Sequence, residues 1–324
     1  MQIFGNTIRF NVQATTARWT YAEFRDNWLL FERLGYDVAY VTDHFVSENP
    51  QAGLSPVWEG PTVLSALAAQ TSRIRCGVMV AGNTYRNPGI LAKIATTIDH
   101  VSNGRMELGM GSGHTQIEHD QYGIPYYTSG RRLRAFAESA KIVRSLLHNE
   151  RTDFDGQYYK ITNAACEPKP VQQPFPLLVG GIGEELSMRI VAESADIWNN
   201  WTSPDEATYQ QKLDALVRHC KDVDRDPAEI RKSMHIKPII GQTAAEVEER
   251  ASVPGRHRSQ GTPDQIAEAL LGFVRLGVSD FVFMFDSPGD YRSLELLATE
   301  VAPRVRAEGP PLLETTAAGS SASV

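Results

Sequence analysis

Asp43 and His44 follow the apolar run Val38–Thr42 and put an acid beside an imidazole at a strand end. Such a pair can move a proton, with His44 as donor or acceptor, because imidazole changes charge near neutral pH. The plainer reading makes Asp43 a local backbone cap and His44 a packed rim residue. Two glycine-rich stretches could hold a ligand. Gly109-Met110-Gly111-Ser112-Gly113-His114 lets backbone approach a flat group, although it lacks the last glycine and the acidic residue of a dinucleotide fingerprint. His114 and Glu118 lie one turn apart and share a face if a helix starts there. Val179-Gly180-Gly181-Ile182-Gly183-Glu184 leads into a helical pattern, where backbone amides and the helix dipole attract an anion such as phosphate. A tight strand-to-helix turn would use the same glycines. Gly77 and Gly82 flank Val78-Met79-Val80-Ala81, the pattern of a bulge, of a close ligand approach, or of an ordinary loop. The phosphate-type loop lacks the Lys-Ser/Thr of a nucleotide hydrolase, and neither H-E-x-x-H nor G-x-S-x-G occurs.

These residues need a frame that brings strand ends together. Short apolar runs alternate with amphipathic ones along the chain. Strands are expected at Ile8–Val12, Val38–Thr42, Ile74–Val80, Met106–Met110, Pro176–Gly180, Asp196–Asn199, His235–Ile240 and Phe281–Phe285. Helical patterns follow each, the first being Tyr21–Leu34, stopped by Gly35. Strict alternation means a parallel sheet, and about eight units with apolar strands suggest a closed (β/α)8 TIM barrel rather than a doubly wound open sheet. The expected organisation is one barrel domain over residues 1–309. Irregular rim insertions are expected near 153–174 and 252–262, with a disordered Pro-, Ala-, Ser- and Thr-rich tail over 310–324. In such barrels the site lies at the C-terminal strand ends, where the residues above fall.

The chain has 324 residues, 42% hydrophobic and 22% charged, with net charge −7. That balance disfavours a nucleic-acid or anionic-membrane surface, since both need clustered excess cations. No run long enough to span a membrane and no leader pattern is apparent, so a cytoplasmic location is expected. Cys76, Cys166 and Cys220 are far apart and odd in number, which argues against disulfides and zinc; no metal is expected. The remaining histidines, His235 among them, read as structural. Trp19, Phe45, Trp58, Trp198 and Trp201 could wall an apolar substrate pocket, or simply pack under loops.

In order, the segments YVTDHF, WEGPTVLSALAAQTSRIRCG, TYRNPGILAKIATTIDHVSNGRMELGMGSG, FDGQYYKI with EPKPVQQP, LLVGGIGEELSMRIVAESADIWN and GTPDQIAEAL resemble one family. The chain is similar to the luciferase-like monooxygenase superfamily, in the branch that uses the deazaflavin coenzyme F420. The resemblance covers about Gln2 to Ala307. It implies hydride transfer between C5 of the deazaflavin and a small organic substrate. His44 would move the proton, and Asp43 would order the ring end or the imidazole. Met79 and Val80 match a bulge that carries a non-prolyl cis peptide and backs the ring. Gly111 and His114 would lie near the ring, and Gly180, Gly181 and Gly183 would hold the cofactor phosphate. Glu59 matches an acidic residue at the pocket rim. The resemblance also implies a homodimer packed through the helices after strands two and three. Two departures stand out: Tyr40 replaces a tryptophan, and His114 replaces an aromatic residue. The same fold serves reduced-FMN-dependent monooxygenases, which need a partner reductase, and a barrel that binds a flavin without turnover is a third reading.

Overall fold

In Arg9–Ala14 polar and apolar residues alternate, and that alternation decides how the molecule is filled. Phe10, Val12 and Ala14 join the core between sheet and helices, while Arg9, Asn11 and Gln13 are the buried polar set of the opposite face. The computed structural model describes residues 7–47, 55–201, 205–251 and 259–310. The strands are β1 (Arg9–Ala14), β2 (Val38–Val41), β3 (Arg75–Gly82), β4 (Met106–Gly111), β5 (Thr152–Asp155), β6 (Lys160–Ala164), β7 (Leu177–Gly180), β8 (Ile197–Asn200), β9 (Arg231–Ile236), β10 (Ile239–Ile240), β11 (Gln260–Gly261) and β12 (Val278–Phe285). Eight of them form a closed parallel barrel in the order β1-β12-β9-β8-β7-β4-β3-β2, which is the expected (β/α)8 TIM barrel.

The interior of the barrel is layered. At the strand starts Arg9 ion-pairs with Glu107 and Asp280, Arg75 with Glu107, and Arg231 with Asp280. Above them Val38, Tyr40, Met79, Leu178, Ile197 and Val282 make an apolar layer. Tyr40 donates its hydroxyl to Glu107 at 2.5 Å, so the residue that replaces a tryptophan serves this lower network. At the top Gln13 and His235 are hydrogen-bonded.

The helices are α1 (Tyr21–Leu34), α2 (Gly60–Ala68), α3 (Pro88–Val101), α4 (Gln116–Tyr122), α5 (Ser129–His148), α6 (Leu186–Ser194), α7 (Glu206–Asp222), α8 (Ala244–Ala251), α9 (Pro263–Arg275), α10 (Tyr291–Leu296) and α11 (Ala302–Glu308). In α1, Phe24, Trp28 and Phe31 recur at helical spacing and are buried, and Phe31 meets Phe285 at 5.3 Å. Burying each aromatic contributes about 1.5–3 kcal/mol, whereas the Thr20–Glu23 capping box contributes about 1 kcal/mol, so packing holds the helix and the cap sets its start. Gly35 ends it as expected, at φ +82°.

Three elements differ from the sequence expectation. The seventh barrel strand is Arg231–Ile236, not His235–Ile240. Its first residues are polar because Arg231 reaches Asp280 and Lys232 reaches the Pro227 carbonyl, so no apolar run marks them. The stretch near 153–174 is not wholly irregular: β5 and β6 pair as an antiparallel hairpin. The short helix α4 also goes beyond the eight units. Of the expected insertion 252–262, residues 252–258 lie outside the described residues, as do 311–324 of the expected tail. No helix among the described residues is long and apolar enough to cross a membrane. The cysteines are free and buried, and burial pushes the Cys76 thiol up to about 12, which suits an inert packing role.

Candidate active site

His44 sits just beyond β2, and the carboxylate that orders it comes from α4. Glu118 Oε2 lies 3.1 Å from His44 Nδ1. The same carboxylate accepts the Phe45 amide at 2.5 Å, the Val46 amide at 3.3 Å and the Tyr85 hydroxyl. Glu118 is fully buried. Burial pushes its pKa up, but the hydrogen bonds from His44 and Tyr85 outweigh that and hold it below the usual carboxylate range. A charged Glu118 keeps the proton of a neutral His44 on Nδ1 and leaves Nε2 as the basic nitrogen. Sequence spacing had paired Glu118 with His114. In the fold His114 is exposed, and its ring stands edge-on to His44 with centroids 6.0 Å apart.

Asp43 has a different task. Arg86 grips both of its oxygens, at 2.7 and 2.9 Å, and the Gly82 amide donates to it at 3.0 Å. The guanidinium also reaches Glu59, which caps α2 by accepting the Thr62 amide at 2.7 Å. Asp43 therefore ties the end of β2 to the end of β3, and its carboxylate is committed to Arg86. The role of ordering His44, assigned to Asp43 as one option from the resemblance, is filled by Glu118. Glu59, expected at the pocket rim, serves in the fold as the α2 cap and as a partner of Arg86.

The bulge is present. The β3–β4 register shifts between Val78 and Ala81, and the Met79–Val80 peptide is cis. Val80 packs over glycines of the next two strands around the barrel, β4 and β7. A Cβ on Gly111 would meet the Val80 Cγ2 at 2.7 Å, and one on Gly180 would meet its Cγ1 at 3.2 Å. The bulge thus has side chain where β4 and β7 have none. Gly113, at φ +73°, turns the chain toward His114 with its α-carbon against Thr84, and Arg132 holds its carbonyl at 2.9 Å.

The loop after β7 fits an anion. Gly181 and Gly183 lie over the first turn of α6, where added Cβ atoms would approach Ser187 at 2.9 and 3.1 Å. The α6 N-cap, Glu185, makes no side-chain cap bond, and of the first-turn amides that of Met188 donates to the Gly183 carbonyl at 3.1 Å, which folds the glycine loop over the helix start where a phosphate would sit. Trp198 pins this loop by donating to the Gly181 carbonyl at 2.9 Å. A flat ring backed by Met79–Val80 and a phosphate at α6 match a flavin-like cofactor, so the residues present fit that group. No cluster of three or more metal-ligating side chains occurs among the described residues.

The supposed aromatic wall is mostly core. Trp198 is buried and stacks on Tyr209 at 5.6 Å, and Trp19 is buried against Phe285 at 5.8 Å. Trp58 donates to the Trp19 carbonyl, and Phe45 packs on Tyr85 and Tyr122. Trp201 alone of the five is exposed, at 53%. Sequence reasoning missed Tyr85 and Arg86, which lie on a turn after β3 with no motif of their own.

Residues 3–260 match the family model described as luciferase-like monooxygenase. An uncharacterised protein of Mycobacterium tuberculosis (strain H37Rv) is 33% identical over 181 residues, 56% of this chain. The match spans 62% of that relative's length. An F420-dependent glucose-6-phosphate dehydrogenase of Segniliparus rotundus is 25% identical over 92% of this chain and 98% of its own. Among solved structures, an F420-dependent secondary alcohol dehydrogenase in complex with an F420-acetone adduct superposes with a TM-score of 0.79. It is 17% identical over 93% of this chain and 99% of its own. The EDTA monooxygenase of Chelativorans sp. BNC1 gives 0.80 at 14% identity over 95% of each chain.

Proposed function

Because the chain belongs to the luciferase-like monooxygenase family, we propose that it is an F420-dependent oxidoreductase that transfers a hydride between the deazaflavin C5 and a small organic substrate. The observation that carries this reading is the His44–Glu118 pair, which sets a basic imidazole nitrogen at the barrel mouth. The full-length similarity to a relative named as an F420-dependent dehydrogenase supports it.

A bound deazaflavin supplies two-electron hydride chemistry and reacts poorly with oxygen. The chain supplies the rest. Met79 and Val80 would back the ring, and Gly111 and His114 would lie near it. Gly180, Gly181 and Gly183, with the first turn of α6, hold the phosphate. Asp43, locked by Arg86, keeps β2 and β3 in register under the ring. His44 Nε2 takes a proton from the substrate or returns it, while Glu118 holds the imidazole in place and stabilises its charged form.

The second reading is a reduced-FMN-dependent monooxygenase served by a partner reductase, because the fold superposes equally well on a monooxygenase. Titrating the protein with F420 and separately with FMN, following ring fluorescence, separates the two. Micromolar binding of F420 with weak FMN binding is expected; the reverse preference defeats the deazaflavin reading. A homodimer is also proposed: Ile90 and Val101 are exposed apolar residues on α3, one of the two helices expected at the interface. Sedimentation at micromolar concentration checks it.

A further inference from the structure

Glu118 divides its donors between its two oxygens. Oε1 accepts the Phe45 and Val46 amides and so holds the backbone that follows His44. Oε2 faces His44 Nδ1 at 3.1 Å and also accepts the Tyr85 hydroxyl. The structural duty of this carboxylate and its chemical duty thus fall on different oxygens, and the imidazole and the phenol draw on the same one.

That sharing sets a sign. A carboxylate that stays charged despite its burial can only accept, so the phenol donates. Its proton draws negative charge from Oε2 and leaves less there to stabilise an imidazolium. Glu118 therefore makes His44 more basic, and Tyr85 limits the increase. A proton-transfer group works best when it gains and loses its proton near the working pH, so an unrestrained pair would hold the proton too tightly.

The fold delivers the phenol by packing. A Cβ on Gly82 would meet the Tyr85 ring at 2.5 Å, so the glycine at the end of β3 leaves room for it. The Tyr85 amide closes the turn on the Gly82 carbonyl at 3.0 Å. Phe45 and His119 pack on the ring with centroids 4.7 and 5.3 Å away. Removing the hydroxyl alone leaves those contacts in place. The other titratable or charged groups around Glu118 are placed differently. The His119 nitrogens face the Thr115 carbonyl and the Thr84 hydroxyl, each at 2.8 Å. His114 stands edge-on to His44, and Tyr122 packs on Phe45. Arg86 grips Asp43 and lies 5.8 Å from the Phe45 ring. Tyr85 differs from these in bonding the oxygen that faces the imidazole.

We propose that Tyr85 is a positioning residue that acts through Glu118 Oε2 to restrain the basicity of His44. This deepens the proposed function and rests on it for His44 being the proton-transfer group.

Full-length protein labelled with 15N-histidine is titrated with and without F420, and the His44 resonance is the one missing from His44→Ala. Tyr85→Phe should move the His44 titration to higher pH by about 0.5–1 unit, with thermal unfolding little changed. Glu118→Gln should move it to lower pH. Tyr85→Phe added to Glu118→Gln should then produce less than about a third of its effect in the parent, because the charge it acts on is gone. The series is repeated with His114→Gln so that a change of charge on the neighbouring imidazole is not read as His44. In the loaded enzyme the limb of the pH profile of kcat/KM that His44 sets should move with its titration. An unchanged or lowered His44 titration in Tyr85→Phe, or an equal rise in the Glu118→Gln background, overturns the assignment. If the titration rises as expected and the pH profile stays where it was, His44 is not the proton-transfer group, and the link from Tyr85 to His44 stands without it.

Discussion

His44 and Glu118 are 74 positions apart in the chain and 3.1 Å apart in the fold. The contact exists because α4, a short helix at the barrel rim, folds its buried carboxylate back over the end of β2. Glu118 also collects the Phe45 and Val46 amides, so it fixes both the imidazole and the backbone that carries it.

That double role predicts a split between turnover and binding. His44→Ala should lower kcat by about 10²–10⁴-fold, the usual range for a general acid or base, with F420 affinity changed by no more than about threefold. Glu118→Gln keeps the shape but loses the charge that favours imidazolium, and kcat should fall by about 10–100-fold. Steady-state kinetics with a fluorescence titration of F420 check both. Unchanged turnover in His44→Ala would remove it from the chemistry.

The Val80 side chain gives a test of the cofactor cradle. A Cβ at Gly111 would sit 2.7 Å from Val80 Cγ2, so Gly111→Ala must displace the Val80 side chain or the bulge that carries it. F420 affinity should drop by about tenfold or more, as expected when overpacking costs about 1–3 kcal/mol. Adding Val80→Ala removes the colliding methyls and should recover most of the loss. Failure of the double variant to recover would mean that the glycine, not the bulge contact, is what the cofactor needs.

Much of this was legible from sequence because parallel strands with apolar faces announce themselves, and Asp43-His44 and the two glycine loops end such strands. The strand at Arg231–Ile236 was misplaced because Arg231 serves a buried ionic network and Ser233 and His235 make buried hydrogen bonds, which apolar periodicity cannot register. Tyr85 and Arg86 were not legible for another reason. Each is defined by partners from distant strands, and no local pattern encodes that geometry.

Arg86 joins Asp43 and Glu59, and its pairing with Asp43 is largely buried, with side chains 11% and 0% exposed. Arg86→Met strands the Asp43 charge, and the expected loss of stability is about 3–5 kcal/mol. In the double variant Asp43→Asn/Arg86→Met the stranded charge is gone, so much of that loss should return. Denaturant unfolding of the two singles and the double gives the coupling. Additive effects would show that the pair is not what joins β2 to β3.

Beneath the site, Glu107 is held at about 2: burial pushes it up, and the Arg9 and Arg75 guanidinium groups with the Tyr40 hydroxyl more than offset that. Asp280 is also held below its ordinary value, burial being outweighed by Arg231 and Arg9. A carboxylate whose folded pKa lies below its unfolded one stabilises the fold fully above the unfolded value, near 4.3 for Glu. That stability is lost as pH falls toward the folded value. For Glu107 the window runs from about pH 4.5 down to about pH 2, and the linkage is on the order of 3 kcal/mol. Glu107→Gln should therefore be much less stable than the parent at pH 7, with the gap narrowing steadily below pH 4.5. Acidic groups away from this cluster titrate alike in both proteins and cancel in the difference, whereas Asp280, which the Glu107 charge pushes up, drops further in Glu107→Gln. Unfolding free energies at pH 7, 4.5 and 3 measure it. A gap that stayed constant across that range would mean that the charge on Glu107 is not what Arg9 and Arg75 are stabilising.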